Sequence, residues 1–319
     1  MSARFPFPPY ANGWFQIAYS DELLPGEVRP LRYFGRDLVL FRTEAGAPYV
    51  LDAHCPHLGA HLGYGGKVEG EVIRCPFHAY TFDGLGACVE VPYARKIPPT
   101  AKLAGHTVRE VNGLVLLWHH GESASPQWEI PEVPEYESDG WTPYEKRSWR
   151  IRSRNQEMAE NAVDSAHFKY LHGTVIQPLT TAEVEGHVLH VTSKTKFGTP
   201  RGEVDATIES ISRGFGYSTV RFTGIVETLL VSSVIPIDEE YVEARFAFSI
   251  KKLGSQSATS GVGAAFIAEI ERQMDQDIPI WENKVYKDPP ALCDGDGPIG
   301  LFRNWAKQFY SWPEKVSKA

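Results

Sequence analysis

The chain has 319 residues and a formal charge of −8, which gives enough length for one or two domains and an acidic balance that excludes nucleic acid as a partner. No apolar run reaches the roughly 18–20 residues of a membrane span, and Met1–Tyr10 lacks a secretion-signal pattern. Four cysteines without a disulfide framework suit a soluble, cytoplasmic chain.

From about Gly13 to His120 the pattern is all-β. Leu38-Val39-Leu40-Phe41 and Leu114-Val115-Leu116-Leu117-Trp118 are short apolar runs bounded by Gly, Asn or Asp. Between them lie Cys55-Pro56-His57 and Cys75-Pro76-Phe77-His78, with 17 residues separating the two clusters. Each offers one thiolate and one imidazole. Two Cys on one iron and two His on the other are the ligands of a Rieske-type [2Fe–2S] cluster. Structural zinc, the competing metal, draws on wider Cys-x2–4-Cys or His-x3–5-His knuckles, and Cys-x-His is too tight for one. Cys88 and Cys293 stand alone and read as small buried hydrophobes. His119, His120, His187 and His190 read as surface residues on strands.

Next comes a proline-dense stretch from Pro126 to Pro134, with Pro143 after it, which suits a semi-rigid connector and forbids a helix. The expected division is therefore residues 1–125, a connector over 126–143, and a second domain over 144–319. That domain opens with a helix-like stretch from about Asn155 to His167. Strand-like runs follow at His187 to Phe197, Tyr217 to Ile225, Leu229 to Ile235 and Tyr241 to Ile250. In the last, Val242, Ala244, Phe246, Phe248 and Ile250 alternate with polar residues, so one sheet face is buried. Gly254 to Gly261 reads as a surface link, a helix of about 20 residues starts near Ala264, and a shorter one spans Ile299 to Tyr310. The expected class is α+β, an antiparallel sheet packed by helices.

Two histidines five apart, His167 and His172, follow Asp164. Two His and one carboxylate make the open-faced site of non-haem Fe(II) oxygenases. A spacing of five leaves the pair about 140° apart on an ideal helix, so the helix must end or distort between them. Helical periodicity selects the carboxylate. Ile270, Met274, Asp277 and Trp281 share one face within roughly 60°, whereas Asp275 falls among charged residues. An acid on an apolar face coordinates metal or forms an ion pair, and Asp277 has both readings open. No GxGxxG nucleotide fingerprint is present, so electrons must come from a separate protein. A pure electron carrier would need only the first half.

On the two Cys/His loops and on Asn161-x-x-Asp164-x-x-His167-x4-His172, the chain resembles the catalytic (α) component of the Rieske non-haem iron oxygenases along nearly its full length. The stretches 31–35, 55–66, 276–281 and 297–303 are most similar to the 3-ketosteroid 9α-hydroxylase oxygenase and sterol 7-desaturase group. The resemblance implies an N-terminal all-β Rieske domain, a helix-grip (START-like) catalytic domain with an antiparallel sheet, and a ring-shaped homotrimer. It implies a cluster on Cys55, His57, Cys75 and His78, and Fe(II) on His167, His172 and Asp277. It implies too that Asp164 links His78 of one subunit to His167 of the next, with Asn161 near the iron. O2 is then the co-substrate, and NAD(P)H acts only indirectly through a flavin/iron–sulfur reductase or ferredoxin. The substrate implied is bulky, apolar and steroid-like, with hydroxylation favoured over demethylation, desaturation or ring dihydroxylation. High-potential Rieske proteins carry an extra cysteine in each loop, and Leu58 stands here instead. Tyr80 occupies a place where the family commonly has Trp.

Overall fold

The structure, a computed structural model, describes residues 4–199 and 202–312. The strands of the N-terminal part are β1 (Gly13–Tyr19), β2 (Val28–Tyr33), β3 (Arg36–Arg42), β4 (Pro48–Asp52), β5 (Lys67–Glu69), β6 (Val72–Arg74), β7 (Thr81–Phe82), β8 (Cys88–Glu90), β9 (Gly105–His106), β10 (Val108–Val111) and β11 (Leu114–His119). They form three small sheets, ordered β1-β11-β10, β2-β3-β4-β9 and β5-β6-β7-β8. The apolar runs expected as strands are the inner strands β3 and β11, where residues 38–41 and 114–118 are buried on both faces.

Residues 126–143 hold neither helix nor strand. They are pinned down all the same: the Trp14 indole N–H donates to the Trp128 carbonyl at 2.8 Å, and Ile130 and Val133 are buried beside Trp14, Trp118 and Leu229.

The C-terminal part contains β12 (Glu145–Ile151), α1 (Asn155–Ala159), α2 (Ala166–Tyr170), β13 (Leu179–Glu185), β14 (Val188–Thr199), β15 (Gly202–Arg213), β16 (Ser218–Thr223), β17 (Thr228–Pro236), β18 (Val242–Ile250), α3 (Gln256–Asn283) and α4 (Ile299–Ala306). Seven strands form one antiparallel sheet, β12-β18-β17-β16-β15-β14-β13. The long helix α3 covers one face of it, packing Ile267, Met274 and Trp281 against Ile151, Ala244 and Phe248. Among the described residues, no helix is long and apolar enough to cross a membrane.

Several expectations change. The helix α3 begins at Gln256, inside the supposed surface link, because Ser255 caps it: its hydroxyl accepts from the Ala258 N–H at 3.2 Å. The stretch 155–167 is not one helix; α1 runs into a tight turn at 160–162, and α2 restarts at Ala166. Strands β12, β13 and β15 went unseen. In β15 the inward positions include Ser210 and Ser212, which hide the alternation, and β13 is an exposed edge strand held by pairing to β14. His119 is no surface residue: its ring lies flat on Phe34 at 4.2 Å. His187 stacks on Trp128. Cys293 is exposed and Cys88 partly so, rather than buried.

The two halves share a core. Phe15, Leu38 and Val115 pack in one cluster with Leu189, Phe302 and Phe309, and the Phe34 N–H donates to the Pro236 carbonyl at 2.8 Å. Of the C-terminal aromatic group, Trp305, Phe309 and Tyr310 are core while Trp312 stays exposed.

Candidate metal centres

The two Cys/His loops have the same backbone design. In each, the cysteine carbonyl accepts from the N–H four residues on (Gly59, Ala79), and the cysteine N–H donates to the carbonyl five residues on (Ala60, Tyr80). Both turns need a left-handed residue at the fourth position, supplied by Gly59 at φ 77° and, at some strain, by Ala79 at φ 58°. The turns point Cys55 and Cys75 into the core and leave His57 and His78 partly exposed, their rings 4.7 Å apart. Tyr80 lies flat on His57 at 4.7 Å and so fills the place the family usually gives to Trp.

Burial, with the Cys75 thiol beside it, pushes the Cys55 thiol up to about 11, although the His57 N–H is aimed at its sulfur. Only a bound cation would make that buried thiol a thiolate at neutral pH. Donor atoms on one zinc ion sit within ~2.0–2.3 Å of it, so no two can be more than ~4.6 Å apart. These four residues do not form such a set. A pair of thiols and a separate pair of imidazoles fit two irons instead. His54 and His61 pack against each other outside the ligand pairs.

His167, His172 and Asp277 do converge. Their ligand atoms all lie within 4.8 Å of one another, the one such trio among the described residues. Three elements place them. Helix α2 carries His167 and ends at once, Gly173 taking φ 77°, so that His172 swings back onto the same side; its N–H donates to the His167 carbonyl at 3.2 Å. Opposite, α3 presents Asp277 on its buried face beside Met274 and Trp281, while Asp275 is exposed, as the periodicity requires.

Both imidazoles are held ready for a metal. His167 Nδ1 donates to the Asp164 carbonyl at 2.6 Å, and His172 Nδ1 donates to Gln276 Oε1 at 3.0 Å. A carbonyl can only accept, so each ring keeps a proton on Nδ1, and in the neutral form Nε2 is the atom left free for a metal. Burial lowers the His167 pKa, partly offset by Asp164. For His172, burial acts downward too, but hydrogen bonds to Asp277 and Gln276 outweigh it and the net shift is upward. His172 Nε2 stands 3.4 Å from Asp277 Oδ2. Gln276 was not singled out from the sequence; its only signal was its place beside Asp277.

Asp164 turns its carboxylate to the start of α2, accepting from the Ala166 N–H at 3.1 Å, and remains 37% exposed. Asn161 Oδ1 accepts from the Trp281 indole at 3.3 Å. The segment is anchored from behind by Arg303, which grips the buried Glu160 carboxylate with two hydrogen bonds at 2.6 and 2.9 Å. Gly297 lies so close to the Val163 carbonyl that any side chain there would collide with it.

The three donors open into a chamber of about 200 Å³, walled by Met158, Phe168, Phe246, Ile270 and Trp281. A larger polar cleft of about 660 Å³, beside Tyr136, Trp141 and Lys146, shares no residue with it. Size does not choose the site; the donors do.

Residues 13–104 match the Rieske [2Fe-2S] domain, and residues 117–310 match the 3-ketosteroid 9α-hydroxylase C-terminal domain. The chain belongs to the Rieske oxygenase family. It is 32% identical to a 3-ketosteroid-9-alpha-monooxygenase oxygenase component of Rhodococcus rhodochrous, over 97% of this chain and 83% of that protein. It is 31% identical to the cholesterol 7-desaturase of Xenopus laevis, over 98% of this chain and 74% of that one. The fold is that of dicamba monooxygenase (TM-score 0.75, 18% identity, 94% of this chain and 97% of that one) and of Pseudomonas putida CBB5 NdmB (TM-score 0.73, 18% identity, 92% and 89%). This Rieske oxygenase is thus an enzyme whose cofactors are a [2Fe–2S] cluster and a mononuclear iron, with O2 as co-substrate. As an oxygenase component it draws electrons from a reductase. The electron-carrier reading fails because the catalytic half is present and matched.

Proposed function

We propose that this oxygenase hydroxylates or desaturates a steroid-like substrate, with Cys55, His57, Cys75 and His78 holding the cluster and His167, His172 and Asp277 holding the iron. One observation carries the reading: two Nδ1-protonated imidazoles and a buried carboxylate meet at the wall of an apolar chamber. A buried carboxylate needs a partner, and among the described residues Asp277 has no Lys or Arg, only His172 Nε2 at 3.4 Å, itself a ligand nitrogen, so a metal shared between them fits the site. When bound, the cluster supplies single electrons and the ferrous ion activates O2 beside the substrate. The chain's own residues do the rest. Gln276 and the Asp164 carbonyl fix the two rings, and Met274, Trp281 and Phe246 keep water from the substrate. The names of the relatives in both subgroups support a steroid, and a chamber of apolar side chains suits one.

We infer further a ring-shaped homotrimer, in which the partly exposed His78 of one copy meets the partly exposed Asp164 of the next. Leu58 and Phe77, exposed on the two cluster loops, suit an apolar protein contact there.

The test is mass-spectrometric product analysis with a surrogate reductase, NADH, O2 and a panel of ketosteroids, sterols and aryl ethers. Oxygenated or desaturated steroid is expected. Products only from aryl ethers would reject the substrate class. Asp277→Ala should abolish turnover and mononuclear iron by metal analysis while the visible spectrum of the cluster survives.

A further inference from the structure

The metal chamber alone, at about 200 Å³, falls short of the ~300–1,000 Å³ usual for small-molecule sites. It adjoins two further cavities, each of which shares part of its wall. An outer one of about 390 Å³ lies between the first half of α3 and the sheet, and shares Phe168, Ile208, Phe222, Ile270 and Gln273 with the chamber. An inner one of about 170 Å³ shares Met158, Ser210, Val220, Phe246 and Trp281 with it. The proposed iron ligands therefore line the middle one of three adjoining cavities.

The two ends differ in chemistry. The outer end is almost wholly apolar. At the inner end three serines form a row across the sheet: Ser212 of β15 faces Ser218 of β16, which faces Ser232 of β17. Directly opposed residues on neighbouring strands have Cβ atoms ~4.5–5.5 Å apart, so the three hydroxyls form one polar strip. None of the three has a side-chain hydrogen-bond partner among the described residues, and none is sealed off from the lobe. Asn155 lines the same lobe, 3% exposed. Its Nδ2 donates to the Val234 carbonyl at 2.5 Å, which fixes the amide orientation, and its Oδ1 has no donor. An unsatisfied buried polar group is costly, and this amide belongs to the same lobe as three idle hydroxyls, a combination that a ligand would repair.

We propose that the inner lobe binds a terminal hydroxyl of an elongated apolar substrate, which donates to Asn155 Oδ1 and accepts from the serine row. The substrate's long hydrocarbon body then lies under α3 in the outer cavity, and the carbon to be oxidised lies between the two. A bare ketone could use the serines but would leave Asn155 without a donor, so the lobe favours a hydroxylated ring over its keto counterpart. This assignment rests on the reading of the central chamber as the iron site.

Binding separates the two claims. The iron-loaded protein is titrated anaerobically, by calorimetry, with a 3-hydroxysteroid and its 3-deoxy analogue, and with 2-naphthol and naphthalene. A net hydrogen bond is worth about 0.5–1.5 kcal/mol, so the hydroxylated member of a pair is expected to bind about three- to tenfold tighter for each bond made. Ser218→Ala/Ser232→Ala should shrink that preference by at least about threefold while leaving affinity for the deoxy compound and iron content unchanged. Equal affinity within both pairs, binding of neither pair, or a preference that the double substitution leaves undiminished would each overturn the assignment. A failure of the iron reading would appear elsewhere, as metal content independent of Asp277.

Discussion

At the residue scale, the site depends on which nitrogen of each imidazole carries the proton. Gln276 sets this for His172 as the Asp164 carbonyl does for His167. Partners of metal-bound histidines typically contribute 10–100-fold in metal affinity. Gln276→Leu should therefore weaken iron binding by about that factor, measured by competition with a ferrous chelator, while the cluster absorbance stays at wild-type intensity. Unchanged affinity would show that the ring is positioned by packing alone. His119 carries a different effect, on stability. Burial against Phe34, with Arg36 nearby, lowers its pKa from 6.5 to about 4. The unfolded chain takes up this proton below pH 6.5 and the folded chain not until about 4, so stability falls through that window as acid is added. The lowering corresponds to about 3 kcal/mol. Between pH 7 and 4 the wild type should lose about that much more stability than His119→Gln, measured by urea unfolding at each pH.

At the scale of elements, α3 was the most legible part of the site. Its 3.6-residue periodicity separates Asp277 from Asp275 without a structure, and burial agrees. Its beginning was not legible, because a Gly/Ser-rich run looks like a linker until a cap is seen to start a helix there. The α1–α2 segment was legible only as a constraint: the histidine spacing demands a break, and the structure supplies it with a tight turn and Gly173. What holds that break in place comes from far along the chain. Gly297 packs on the Val163 carbonyl, one residue before Asp164. Gly297→Ala must push this backbone aside, at the roughly 1–3 kcal/mol of an overpacked contact. We expect a lower unfolding temperature together with reduced mononuclear iron at full cluster content. Loss of neither would mean that the loop yields freely.

At the scale of the whole molecule, the two metal sets sit in different cores, lined on one side by Phe82 and Leu103 around the cysteines and on the other by Met274 and Trp281 near Asp277. If assembly brings Asp164 to a neighbour's His78, Asp164→Asn should slow single-turnover oxidation of the reduced cluster by at least about tenfold, the effect of roughly 1.4 kcal/mol on a barrier, with both metals still bound. Rapid-mixing spectroscopy reads this directly, and full-speed oxidation would reject the bridge. The sheared-off alternative, a chain working alone, would appear as a monomer mass in sedimentation.

The sequence by itself determined the chemistry: which residues can ligate iron, how far apart they stand along the chain, and which face of α3 carries an acid. Those are local properties, set by ligand type and helical period. Tertiary structure alone decided that Gln276 orients His172, that Gly297 and Arg303 brace the break before α2, and that three serines from three strands line up beyond the chamber. Each of these joins residues whose meeting depends on strand register or on packing between distant elements, and neither leaves a periodic trace in the chain.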